Sequence, residues 1–108
     1  MKSIYPDIAT LLLELEAELR NLDLWDAESP SAEALASTQP FCVDTLTLPQ
    51  WLQFVFLPRM SQLVEMEMPL PKECGIAPMA EEFFRGSDLS VAALTGKLTE
   101  IDARLAKG

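Results

Sequence analysis

QPFCVDTLTLPQWLQFVFLPRM, residues 39–60, is the segment from which the architecture of this 108-residue chain can be worked out. It carries one of the two tryptophans, three of the five phenylalanines and three of the eight prolines, with only two charged residues, Asp44 and Arg59. Thr47-Leu48-Pro49-Gln50 has the form of a helix start. The Thr47 hydroxyl can accept from an unpaired amide of the first turn, and Gln50 can reach back to the Thr47 amide, a capping box. Pro49 is tolerated there because its missing donor has no partner in a first turn. Trp51, Leu52, Val55, Phe56, Met60 and Leu63 then recur at helical spacing. Phe54 and Leu57 widen the stripe until the helix is apolar nearly all round, the pattern of a buried helix. Pro58 removes one backbone hydrogen bond and collides with the Phe54 carbonyl, which predicts a kink or break near Leu57 and resumption to about Met66. The carbonyl so freed needs a donor, and Arg59 and Gln53 are the nearest.

Arg59 is the only cation between Arg20 and Lys72, and it sits beside the most apolar part of the chain. A buried, unpaired charge is very costly, so the first expectation is that Arg59 pairs with Asp44 or caps carbonyls. The functional alternative is that Gln39, Asp44, Trp51 and Arg59 line a small pocket for an anionic or planar ligand. A merely solvated arginine is the third.

The length is that of one domain, residues 1–108, able to bury roughly 65% of its unfolded surface. A hydrophobic fraction of 49% fits a globular chain. The net charge of −9, from 17 acids against 8 bases, disfavours direct nucleic-acid binding, which rests on neutralising phosphates. It also disfavours anionic membranes. It suits solubility first and a basic protein partner second. MKSIYPDIA lacks the apolar core of a secretory signal, and no run reaches membrane-spanning length. Cys42 and Cys74 lack CxxC spacing, so a cytoplasmic protein with reduced cysteines is expected, Cys42 as a small core residue. The chain has no histidine, which removes Cys–His catalysis, Cys/His metal sites and the Glu-x-x-His pairs of di-metal bundles. Phosphate-binding glycine loops are absent, and basic residues do not interleave with aromatics. The acid pairs Glu14/Glu18 and Glu81/Glu82 lie on wet helix faces and lack the burial that acid–base catalysis needs. No cofactor, metal or catalytic residue is expected.

Along the rest of the chain, residues 3–25 read as a first helix. Pro6 and Asp7 stand in its first turn, Ile8, Leu12, Leu15, Leu19 and Leu22 form its buried stripe with Leu11 beside them, and Glu16 and Arg20 are placed to pair. Residues 26–38 form a connection with a turn at Ser29-Pro30-Ser31 and a short helical turn over 31–36; residues 39–44 are extended or irregular. Met68-Pro69-Leu70-Pro71 ends the second helix. Pro78 opens a third, with Met79, Phe83 and Phe84 inward and Gly86 as its stop. Ser87 or Asp88 caps a fourth, with Val91, Leu94, Leu98, Ile101 and Leu105 inward and a Glu100–Arg104 pair outside. Gly96 weakens that helix by about 1 kcal/mol relative to alanine. The expected fold is all-α, a four-helix bundle with the second helix kinked or broken at Pro58.

The run STQPFCVDTLTLPQWLQFVFLPRM, residues 37–60, followed by PLP at 69–71 and IAP at 76–78, resembles the bacterial YqcC-like family, a domain of unknown function. The resemblance covers nearly the whole chain. Its most specific parts are 37–41, Asp44-Thr45, Trp51-Leu52-Gln53, Pro58-Arg59-Met60, Pro69-Leu70-Pro71 and Ala77-Pro78. It implies a four-helix bundle and an association, mainly through gene neighbourhood, with a tRNA pseudouridine synthase, whose name some members carry by transfer. Such synthases use a catalytic Asp in a much larger fold with a basic RNA-binding surface, and this chain has neither; the family offers no catalytic residues to carry over. The leading expectation is therefore a non-enzymatic accessory or interaction protein, monomeric or homodimeric. Its partner would be basic, such as an RNA-modifying enzyme, and would meet the exposed part of residues 51–57 together with the acidic charge. The alternative is a small-ligand binder built on Gln39, Asp44, Trp51 and Arg59.

Overall fold

Ile8, Leu12, Leu15 and Leu19 step along one side of the first helix, α1 (Tyr5–Asn21), and all four are buried. Each contributes roughly 2 kcal/mol by leaving water. This computed structural model describes residues 4–72, 75–88 and 90–107. Ser3, expected to start α1, and Cys74 lie outside the described residues. Pro6 and Asp7 occupy the first turn of α1, as their helix-start chemistry requires. The helix stops at Asn21 rather than continuing to Trp25. Asp23 turns into the left-handed region (φ 58°), its N–H donates to the Arg20 carbonyl (3.1 Å), and the Leu24 N–H donates to the Leu19 carbonyl (2.9 Å). That is a Schellman close, which throws Leu24 and Trp25 back against the core. The Arg20 guanidinium sits 4.5 Å over the Trp25 ring while its Nε pairs with Glu16 at 3.0 Å.

The connection contains a one-turn helix, α2 (Ala32–Leu35), whose Ser31 hydroxyl accepts from the Ala34 amide (3.1 Å). A 3₁₀ turn follows at Pro40–Cys42, in which Phe41 (φ 58°) and Cys42 (φ 50°) are both left-handed. The Thr45 hydroxyl ties this loop to α2 by donating to the Ala34 carbonyl (2.7 Å). Thr47 and Gln50 form the capping box that their spacing predicts and start α3 (Leu48–Trp51).

Between α3 and α4 (Leu57–Glu65) the chain makes a π-helical turn, Leu52–Phe56. Trp51, Leu52, Phe56 and Leu57 keep right-handed helical angles, and the Leu57 N–H donates to the Leu52 carbonyl five residues back. Widening the turn ahead of Pro58 relieves the conflict between its ring and the preceding carbonyls. Gln53, expected near a freed carbonyl of this helix, is instead buried against the loop after α1. Its Oε1 accepts from the Asp26 N–H and its Nε2 donates to the Asp26 carbonyl, both at 2.8 Å. The helix closes with a second Schellman turn at Glu67 (φ 50°), where the Met68 N–H reaches the Leu63 carbonyl (2.9 Å).

The next helix, α5 (Ile76–Phe83), starts two residues before Pro78, after Gly75 in the left-handed region (φ 62°). Its first amides are capped from a distant element: Asp102 accepts from the Ile76 N–H (3.3 Å) and the Ala77 N–H (2.8 Å). Ile76, Ala77, Ala80 and Phe84 face inward. Phe84 is 7% exposed, inside as expected, whereas Phe83, also expected inside, is 45% exposed. The last helix, α6 (Ala92–Lys107), begins four residues beyond Asp88, so neither Ser87 nor Asp88 caps it. Leu94, Leu98, Ile101 and Leu105 are its buried stripe.

Helix α1 packs on α6 and α4, and α5 packs on α6 and α3. Their apolar faces share one core, with Leu52, Phe56 and Met60 from the central helix among its members. The fold is all-α, with no strand among the described residues.

Candidate functional site

The π turn determines what the central helix displays. Residues five apart do not face each other in an α-helix, whereas the i→i+5 register of a π turn brings them together. Trp51 and Phe56 are stacked accordingly, with ring centroids 5.4 Å apart and planes at 28°. Phe41, held in its left-handed conformation, meets Trp51 edge-on at 4.8 Å and 67°. These rings, with Val55, Met60 and Pro71, line an open cavity of about 300 Å³. Arg59, exposed at its rim, is the sole charged lining residue among those described.

Of the four residues singled out from the sequence, the structure brings Trp51 and Arg59 together at this cavity and leaves Gln39 and Asp44 out of its lining. The expected Arg59–Asp44 pair does not form. Asp44 is engaged locally, accepting from the Ser37 hydroxyl at 2.5 Å, and that hydroxyl also accepts from the Gln39 N–H at 3.1 Å. Ser37 lies seven residues from Asp44 in the same loop, so this contact asks less chain ordering than one across the molecule. Arg59 makes no hydrogen bond or ion pair among the described residues, whereas Arg20, Arg85 and Arg104 each pair with a carboxylate. Phe41, Met60 and Pro71 are lining residues that sequence reasoning does not assign to a site. Most of the 51–57 surface expected to serve as a binding face is core: Leu52, Phe56 and Leu57 are buried, and Trp51 and Val55 are half-buried.

A second concavity, about 360 Å³, lies where the loop after α1 meets the start of α3 and the end of α5. Asp23, Asp26, Gln50 and the exposed Phe83 help to line it. Gln50 Nε2 donates to Asp26 at 3.2 Å. Asp23, Asp26, Glu28, Glu33 and Asp44 are all exposed, and the chain carries no lysine or arginine from 21 to 58.

The remaining charges are largely structural. Arg104 pairs with Asp7 at 2.6 Å, not with Glu100 as expected, because the packing of α1 on α6 presents Asp7 to it. Lys97 bridges Glu14 of α1 (3.2 Å) and Glu100 of its own helix (3.6 Å). Its pKa is raised, chiefly by the hydrogen bond to Glu14, against a smaller opposing effect of desolvation. No group of three or more side chains able to hold a metal ion occurs among the described residues, and no helix there is long and apolar enough to cross a membrane.

Residues 7–104 match the model of a family described as DUF446: tRNA pseudouridine synthase C. The protein YqcC of Escherichia coli, uncharacterized, is 36% identical over 95 residues, 88% of this chain and 87% of that protein. An uncharacterized Haemophilus influenzae protein is 42% identical over 71 residues, 66% of this chain and 67% of its own length. A Pectobacterium carotovorum protein named tRNA pseudouridine synthase C is 44% identical over 61 residues, which is 56% of this chain but only 16% of that protein. The solution NMR structure of E. coli YqcC matches this fold with a TM-score of 0.85 at 32% identity, covering 97% of this chain and 90% of that one. Fold and sequence agree, and the chain belongs to the YqcC-like family.

Proposed function

We propose that this chain is a non-enzymatic interaction domain of the cytoplasm, monomeric or homodimeric, that docks on a basic protein such as an RNA-modifying enzyme. The observation that carries the reading is the acidic concavity beside Phe83: two carboxylates, Asp23 and Asp26, share its lining with an exposed aromatic ring. Arginine or lysine side chains of a partner fit such a surface, pairing with the carboxylates and lying against the ring. The four longer helical stretches, read as a four-helix bundle, supply a rigid frame for it. The match of this domain to a small part of a longer protein named tRNA pseudouridine synthase C supports an enzyme of that kind as the partner. The test is titration of the purified chain with that synthase from the same cell at low and high salt, using wild type, Phe83→Ala and the double variant Asp23→Lys/Asp26→Lys. Binding that weakens with salt and is lost in the charge-reversed variant is expected; absence of binding at low salt rejects the proposal.

A second reading, a helical bundle that binds a small anionic or planar ligand, is supported by Arg59, unpartnered among the described residues, above the Trp51 cavity. Its test is a panel of small aromatic and anionic compounds, read by whether any perturbs the Trp51 indole while leaving Trp25 unmoved.

A further inference from the structure

We infer that the cavity under Arg59 is a binding site for a small, free aromatic monocarboxylate, its ring laid among Trp51, Phe56 and Met60 and its carboxylate on the Arg59 guanidinium. This rests on the second reading above and gives the ligand its chemistry.

Three features specify that chemistry. The volume, about 300 Å³, is at the small end of ligand pockets and suits a ligand of one or two fused rings. The walls are mostly aromatic: half-buried Trp51 and Phe41, with Val55, offer the accessible surface over buried Phe56 and Met60, which favours a flat π-system. Among the described residues the rim carries a single charged group, positive, in a chain of net charge −9. A guanidinium matches a carboxylate in a bidentate, planar fashion, and one guanidinium matches one carboxylate.

The backbone is arranged to keep the cavity in this shape. Phe41 and Cys42 are consecutive non-glycine residues at positive φ, a strained conformation held only when the surroundings impose it. Below them, the π turn sets the Trp51–Phe56 stack. Buried Cys42 and the bond from Thr45 to α2 anchor the Phe41 loop from behind.

The experiment is a two-dimensional NMR titration with 2-naphthoate, 2-naphthamide and the peptide Gly-Gly-Phe with a free carboxyl end. The Trp51 indole N–H is the reporter and the Trp25 indole the internal control. Naphthoate is expected to shift Trp51 and not Trp25, and to bind at least about tenfold more tightly than naphthamide, the factor set by one charge-assisted contact. Arg59→Gln, a surface change, removes that preference, bringing naphthoate down to the affinity of naphthamide. Val55→Phe, which fills the cavity from a half-buried position, abolishes binding of both. Equal binding of naphthoate and naphthamide overturns the monocarboxylate assignment and leaves a ligand pocket standing. Tighter binding of the peptide overturns the free-acid assignment in favour of a chain terminus. No shift at Trp51 with any probe overturns both the inference and the reading beneath it.

Discussion

Asp23 and Glu67 each end a helix from the left-handed region, at φ 58° and 50°, where glycine is the residue without steric cost. Both close Schellman turns whose bonds are intact, so replacing either with glycine relieves strain without removing a contact of the fold. The relief, on the order of 1–2 kcal/mol, is partly offset by the greater freedom of glycine in the unfolded chain. Asp23→Gly is therefore expected to stabilise by up to about 1 kcal/mol, read as a raised thermal midpoint; a lowered midpoint would mean that the Asp23 side chain contributes more than its backbone costs. The absence of glycine at this position is also why the end of α1 is not legible in the sequence, since Leu22, Leu24 and Trp25 prolong the apolar pattern past the true stop. Asp102 is a second case of a residue whose part is set at a distance. Its carboxylate accepts the first two amides of α5, one of which belongs to fully buried Ile76. Nothing within the α5 sequence shows that its cap lies 25 residues downstream of Ala77. Asp102→Ala leaves these donors unsatisfied and is expected to cost about 1–3 kcal/mol in denaturant unfolding, whereas Asp102→Asn keeps an oxygen acceptor and costs less. Equal stability of the alanine variant and wild type would show that water satisfies the amides.

The central helix separates what is local from what is not. Thr47 and Gln50 are three residues apart and bond to each other's backbone, so the capping box is legible in the sequence alone. The consequence of Pro58 is only partly so. A proline states that an α-helical bond is lost, but whether the chain bends, breaks or widens into a π turn is settled by what packs around it. Here Leu52, Phe56, Leu57 and Met60 all reach the core, and a widened turn keeps all four buried. The candidate cavity follows from that choice. Trp51 and Arg59 share a helix face by ordinary periodicity and are legible as neighbours, whereas Phe41 and Pro71 arrive from loops whose paths no periodicity encodes. The outward position of Phe83 has the same origin, since adjacent aromatics at the end of a short helix differ by one position and only packing selects which of them is buried. Pro58→Ala restores the donor that favours an α turn. The expected outcome is retained far-UV helical signal with a changed near-UV aromatic spectrum, as the Trp51–Phe56 stack loses its register. An unchanged aromatic spectrum would mean that packing alone holds the π turn.

Across the molecule, α1 and α6 are joined by their apolar stripes and, outside these, by two ion pairs that span nearly the whole sequence: Arg104 with Asp7 and Lys97 with Glu14. In a chain of net charge −9, these pairs set two cations of α6 against carboxylates of the acid-rich α1. Lys97 faces Glu14 from α1 and Glu100 from its own helix, and these carboxylates hold its pKa above the ordinary lysine value. The sign follows from linkage. The folded state binds the Lys97 proton more tightly than the unfolded chain, so the stabilisation is complete below the unfolded lysine pKa and is lost as pH rises through the higher folded value. The stability of the wild type should therefore fall in alkaline solution more steeply than that of Lys97→Met, which keeps an apolar stem against α1 but has no proton to lose. Unfolding measured for both proteins from about pH 8 to about pH 11 isolates this contribution, because every other titrating group is common to the two. The difference should shrink in high salt, which screens partly exposed pairs. Parallel pH profiles would show that the ion pairs of Lys97 add no net charge interaction to the joining of the first and last helices.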